Sequence, residues 1–127
     1  MANKEAANRR KQAERAAKKS KEKEEDREEA KKNEFISRTF ARYESYATMR
    51  LKEGKDRPAA EYFSILVMLD KRLISSEEEL ETYLKSPSFT ADATANLALL
   101  QSKRKIFMRR LDTMREKNQD LLAKSRH

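Results

Sequence analysis

An all-α fold is what this sequence predicts: a small helical bundle of about four helices, carrying a long charged N-terminal helical arm. Three observations point there. Apolar residues recur at helical spacing in two places, at Ile36, Phe40, Tyr43 and Ala47 and again from Leu97 to Leu121. Between them lies Pro58–Leu73, PAAEYFSILVMLDKRL, where large apolar residues crowd together on nearly every side, so that other elements must wrap it. Ahead of both, Ala2–Glu34 is composed mostly of strong helix formers.

Residues 1–34 read as a basic, charged arm, helical or disordered. From Ala2 to Glu34 there is no Leu, Ile, Val, Phe, Tyr or Met, so the arm has no stripe to bury against a core. The pairs Glu5–Arg9, Glu14–Lys18 and Glu28–Lys32 stand in the favourable i,i+4 order. Together these features predict a helix that frays when free and becomes regular on a partner. Residues 35–124 read as the helical domain and 125–127 as a tail.

Within that domain, the first apolar face opens at Phe35 and runs through Ile36, Phe40, Tyr43 and Ala47. The only glycine, Gly54, stands where a left-handed residue closes a helix. Asp56 or Arg57 then caps the next helix, with Pro58 in its first turn, where a missing N–H costs nothing. A short buried strand over Phe63–Leu69 is the alternative, and the length of the apolar stretch favours helix. Ser75 with Glu78, or Ser76 with Glu79, forms a capping box for a short helix whose inner side is Leu80, Tyr83 and Leu84. Ser86-Pro87-Ser88 ends that helix. Thr90 caps a last long helix reaching about Ala123. Along it Leu97, Leu100, Phe107, Leu111, Met114 and Leu121 make a heptad-like, coiled-coil seam, with Arg104 and Asn118 at the intervening positions.

Composition limits the chemistry. The chain has 127 residues, room for one domain, and 41% of them are charged. There is no cysteine, which excludes disulfides and thiolate chemistry and fits an intracellular, cytoplasmic setting. The first residues hold no apolar signal-peptide run and include Glu5 and Glu14, acids of a kind transit peptides avoid. The longest apolar run, Ile65–Leu69, falls far short of the roughly 20 residues that span a bilayer. A soluble protein without a membrane span is expected.

No catalytic or metal site is expected. His127 is the sole histidine, so neither a Cys/His metal set nor a Glu-x-x-His pair exists. One glycine cannot build a phosphate-cradling loop. Glu77, Glu78, Glu79 and Glu81 read as acids favouring the positive end of a helix rather than as metal ligands. Ser75 and Ser76 read as caps, with no base placed to activate them. The sequence therefore predicts a non-enzymatic protein without cofactors.

Charge distribution carries the functional reading. The net charge of +8 is divided unevenly: residues 1–23 hold nine basic and three acidic groups, residues 35–100 nine and ten, and residues 101–127 nine and three. A near-neutral middle between two positive ends points to a polyanion, RNA first among candidates. The candidate contacts in the arm are Arg9, Arg10, Lys11, Arg15, Lys18 and Lys19. In the last helix they are Lys103, Lys105, Arg109 and Arg110, within a run of five basic residues in eight positions that includes Arg104. Such side chains give affinity for phosphates without reading sequence. Arg38, Arg42 and Arg50 alternate with aromatic residues, and among those Phe35 and Tyr46 are candidates for stacking splayed bases.

In the pattern KEAANRRKQAERAAKK the arm resembles the basic, alanine-rich helices of small ribosome-associated factors. The resemblance is compositional, covers about a quarter of the chain and assigns no residue a role. The expectation is thus an RNA- or ribonucleoprotein-binding helical protein, and the resemblance implies association with ribosomes. The alternative is a structural or assembly subunit that joins a larger complex through helix packing, on an acidic protein assembly such as a cytoskeletal filament, or in an organelle or virion particle.

Overall fold

The structure is a computed structural model that describes the backbone of residues 2–125 and the side chains of residues 25–124. All regular structure among the described residues is helical: α1 (Ala2–Lys52), α2 (Asp56–Asp70), α3 (Glu77–Leu84), α4 (Pro87–Ser102) and α5 (Arg104–Ser125). The chain divides into two units, Met1–Lys31 and Lys32–His127. In the first, the described side chains, Glu25 to Lys31, are all exposed. The second contains the core.

That core forms around α2. Ala59, Ala60, Phe63, Ser64, Ile65, Leu66 and Leu69 are all buried, which accounts for a segment with no clear polar face. The chief neighbour of α2 is α4, with α5 also against it and α3 against α4. From α1, Ile36, Phe40 and Ala47 join the same cluster, with Tyr43 partly buried beside them, as the helical spacing predicts. From α5 come Phe107, Leu111 and Met114. The rings of Phe63 and Phe107 stack with centroids 4.1 Å apart and planes 27° from parallel.

Polar pins fix the arrangement. Asn96 Nδ2 donates to Ser64 Oγ at 2.7 Å, and Ser64 Oγ in turn donates to the Ala60 carbonyl at 2.9 Å, tying α4 to α2. Arg115 ties α5 to α1: its Nε donates to Glu44 Oε1 at 2.5 Å and its Nη2 to Thr48 Oγ1 at 3.2 Å.

The turns follow backbone chemistry closely. Gly54 takes φ +75, Gly54 N–H bonds the Leu51 carbonyl and Lys55 N–H the Arg50 carbonyl, a Schellman closure of α1. The end of α2 repeats the device with Arg72 at φ 60, Arg72 N–H on Leu69 and Leu73 N–H on Met68. An arginine there carries a steric cost that glycine would avoid. At α3 the Ser76 half of the Ser76–Glu79 capping box forms, Ser76 Oγ accepting from Glu79 N–H at 3.2 Å, while the Glu79 side chain turns to Ser75 rather than to the Ser76 N–H. Glu79 Oε1 accepts from the Ser75 N–H at 3.2 Å, from Ser75 Oγ at 3.0 Å and from Ser76 Oγ at 3.1 Å. Those donors, the Ser75 N–H foremost, hold the Glu79 carboxyl below its ordinary pKa.

Four details differ from the sequence reading. The cap of α2 is Lys55, without a side-chain bond, so Asp56 and Arg57 lie inside the first turn. Leu84 is exposed, because Leu80 and Tyr83 already occupy the inward arc of an eight-residue helix. Ser86, not Thr90, caps α4, its Oγ accepting from Phe89 N–H at 3.4 Å with Pro87 as the first helical residue. The expected single last helix is two, broken at Lys103.

Candidate nucleic-acid interface

Lys103 is the joint on which the basic run turns. Its backbone leaves the helical region at φ −139, ψ 61. Its N–H closes α4 on the Leu99 carbonyl at 2.7 Å, and its own carbonyl accepts from Ile106 N–H and Phe107 N–H, each at 3.1 Å, to open α5. One residue thus ends one helix and begins the next without glycine or proline. Re-aiming α5 in this way leaves Phe107 and Leu111 at 0% exposure in the core.

The basic side chains follow from that placement. At ~100° per residue, Lys105 and Arg109 stand nearly opposite Phe107. Lys103, Arg104, Lys105, Arg109 and Arg110 are all exposed. Arg104, expected at a seam position, instead starts a new helix at the surface. Asn118, the other expected seam residue, is buried at 7% exposure.

Partnering separates the arginines of this run from those between Arg38 and Arg72. Arg38 pairs with Glu34 at 2.6 Å, Arg50 with Glu53 at 2.9 Å and Arg57 with Glu61 at 3.7 Å. Arg42 lies 5.4 Å over the Tyr43 ring, and Arg72 bonds the Asn33 side chain. Among the described residues, Arg104, Arg109 and Arg110 have no ion pair, ring contact or side-chain hydrogen bond, and Lys103 and Lys105 have no ion pair. Arg104 and Lys105 also stand at the positive end of α5, and Lys105 faces Arg109 one turn on; both placements oppose the fold electrostatically. A phosphate backbone laid across these side chains would relieve that repulsion and release counterions.

The other candidates are distributed as follows. The side chains of Arg9, Arg10, Lys11, Arg15, Lys18 and Lys19 lie outside the described residues. Phe35 is half-buried and packs on the core. Tyr46 is 41% exposed and belongs to a tyrosine cluster, its centroid 5.8 Å from Tyr43 and 5.5 Å from Tyr62. Sequence reasoning missed Ile106, which is 39% exposed in the middle of the basic run and offers an apolar contact beside the cations. Ile106 is the residue next to buried Phe107 and stands about 100° round the helix from it, a placement that the helical spacing alone already contains.

No group of three or more His, Cys, Asp or Glu side chains among the described residues is arranged to hold a metal ion. Among the described residues no helix is long and apolar enough to cross a membrane. Comparison with protein-family models, with curated proteins and with solved structures gives no match for this chain.

Proposed function

We propose that this chain is a non-enzymatic RNA- or ribonucleoprotein-binding protein that acts in the cytoplasm and needs no cofactor. In this reading the first turns of α5 and the basic arm, residues 1–34, contact phosphates. The observation that carries it is the unpartnered, exposed set Lys103, Arg104, Lys105, Arg109 and Arg110, in a domain where every arginine from Arg38 to Arg72 has a partner. Unpaired cations that strain their own helix are economical only where an anion meets them. Recognition of this kind follows the phosphate backbone, so broad RNA affinity with weak sequence preference is expected.

A second reading, an assembly subunit joining a larger complex through helix packing, draws on another observation. Tyr46, Met49 and Leu84 are 41%, 53% and 38% exposed, and Tyr46 and Leu84 line one groove with Tyr43, Tyr62 and Phe89. Tyrosine and methionine at a surface are typical of protein contacts. A crosslinking pull-down of the full chain from native lysate, with and without nuclease, separates the two. Loss of partners on nuclease treatment supports RNA binding; partners retained after nuclease favour the assembly role.

A further inference from the structure

Where α2 ends and α3 and the start of α4 pack beside it, the surface holds an open groove of about 600 Å³. Met68, Leu73 and Ile74 give it an apolar floor, and Leu73 is 58% exposed. A leucine left that far in water is a cost that another apolar surface would remove. The charged lining is of one sign: Glu78, Glu79 and Asp92. Lys71, Arg72 and Lys85 are near in sequence, and none of them lines it.

These carboxylates keep their charge. Among the described residues the Glu78 carboxylate has no ion pair or hydrogen bond. Asp92 is held through one oxygen, its Oδ2 accepting from the Tyr83 hydroxyl at 2.7 Å, which leaves Oδ1 open. Glu79 is bonded by neutral serine donors, and Lys32 acts on it less than any of them. Hydroxyl donors orient a carboxylate without cancelling it, so the groove sets negative charge over an apolar floor.

An occupant that fits presents cations around a large apolar side chain. The arm does not, since Ala2–Glu34 holds no Leu, Ile, Val, Phe, Tyr or Met. The start of α5 does: Ile106 is 39% exposed, and Arg109 and Arg110, three and four residues on, flank it on the helix surface without an ion pair. Within one chain the two surfaces stand apart. From Asp92 to the end of α4 at Ser102 is about 15 Å along the helix axis, and the run beyond it is exposed. The complement therefore belongs to another molecule.

We infer that the protein associates with a second copy of itself, the Ile106 side of one copy seated in the groove of the next. Ile106 covers the Met68–Leu73 floor, and the cations around it meet Glu78 and Asp92. Run and groove are different surfaces, so each contact leaves one of each free, and copies add head to tail or close into a ring. The contact uses cations that the proposed function gives to phosphates, so RNA and a second copy compete for them. The inference stands without that function, because it is tested in the absence of nucleic acid.

The test is sedimentation velocity of the full chain, freed of nucleic acid, over a concentration series at about 50 mM and about 500 mM salt, between which the screening length shrinks from about 14 Å to about 4 Å. The expected mass climbs with concentration at low salt and falls to the monomer value at high salt. Two variants each remove one side: Glu78→Gln with Asp92→Asn for the groove, and Ile106→Ser with Arg109→Gln and Arg110→Gln for the run. Each, shown folded by circular dichroism, should self-associate at least roughly tenfold more weakly than the wild type. Mixed in equal amounts, they should form a 1:1 dimer and nothing larger, because the mixture pairs the intact run of one with the intact groove of the other. A wild type that stays monomeric at every concentration would leave the groove to another partner and overturn the inference. So would association that neither salt nor either variant weakens, or a mixture that stays monomeric.

Discussion

Phe107→Ala probes the packing on which the placement of the basic run depends. Phe107 is 0% exposed, and its ring stacks on Phe63 at 4.1 Å in the centre of the core. Truncating a buried phenylalanine costs about 3–5 kcal/mol from lost burial and the cavity left behind. The ring pair lies within that figure, contributing about 0.5–1.5 kcal/mol beyond area burial. For a small domain, urea slopes are about 1–3 kcal/mol per molar, so the midpoint should fall by roughly 2 M with the slope unchanged. Phe107→Leu keeps much of the volume and should lose less. The assay is equilibrium urea unfolding followed by far-ultraviolet circular dichroism, since the fold is helical. A midpoint shift for Phe107→Ala below roughly 0.5 M would refute the claim that α5 is locked to α2 through this pair, and with it the outward direction assigned to Lys105 and Arg109.

Three further outcomes test separate joints. Ser76→Ala removes the cap of α3 and should cost about 1 kcal/mol in the same unfolding assay. Glu79 has a folded pKa below its unfolded one, so its contribution is present above the ordinary glutamate range and lost as pH falls through the folded value. Glu79→Gln should therefore flatten the acid limb of the melting profile. Tyr83 is shifted the other way: burial first, then its 2.7 Å bond to Asp92, push the phenol above its usual range. Its contribution is complete below the unfolded phenol value and is lost as pH rises past it, so melting temperature should drop above about pH 10 in the wild type, and less in Tyr83→Phe.

Much of the fold was readable from spacing and turn chemistry. Phe63, Leu66 and Leu69 announced a buried helix by density alone, and Gly54 marked the end of α1 because only a left-handed residue closes a helix that way. Ser76 was readable as the cap of α3, whereas Glu79 reaches back to the N–H of Ser75, one residue before the cap. The break at Lys103 was not, since Ser102, Lys103 and Arg104 are ordinary helix residues and the heptad-like seam runs through them. The break has no local signal: Lys103 leaves the helical region, while Leu100 before it and Phe107 after it both lie in the core. The Ser64–Asn96 bond was likewise hidden, its partners standing on separate helices. Of the site, the five cations were legible as a charge run. Their lack of partners was not, because pairing depends on which carboxylates the fold brings near.

The central claim, that Lys103 and the cations of the first turns of α5 meet phosphates, is tested most directly by the salt dependence of RNA affinity. The full chain is compared with a variant carrying Lys103→Gln, Arg104→Gln, Lys105→Gln, Arg109→Gln and Arg110→Gln. On single-stranded RNA each phosphate contact contributes a slope of about −0.7 in log K against log salt, so losing five should flatten the slope by up to roughly 3.5. The variant should also melt at or slightly above the wild-type temperature, because the substitutions relieve repulsion at the positive end of α5. Weaker, less salt-sensitive binding by an equally stable protein is the expected result. An unchanged slope and affinity would contradict the account.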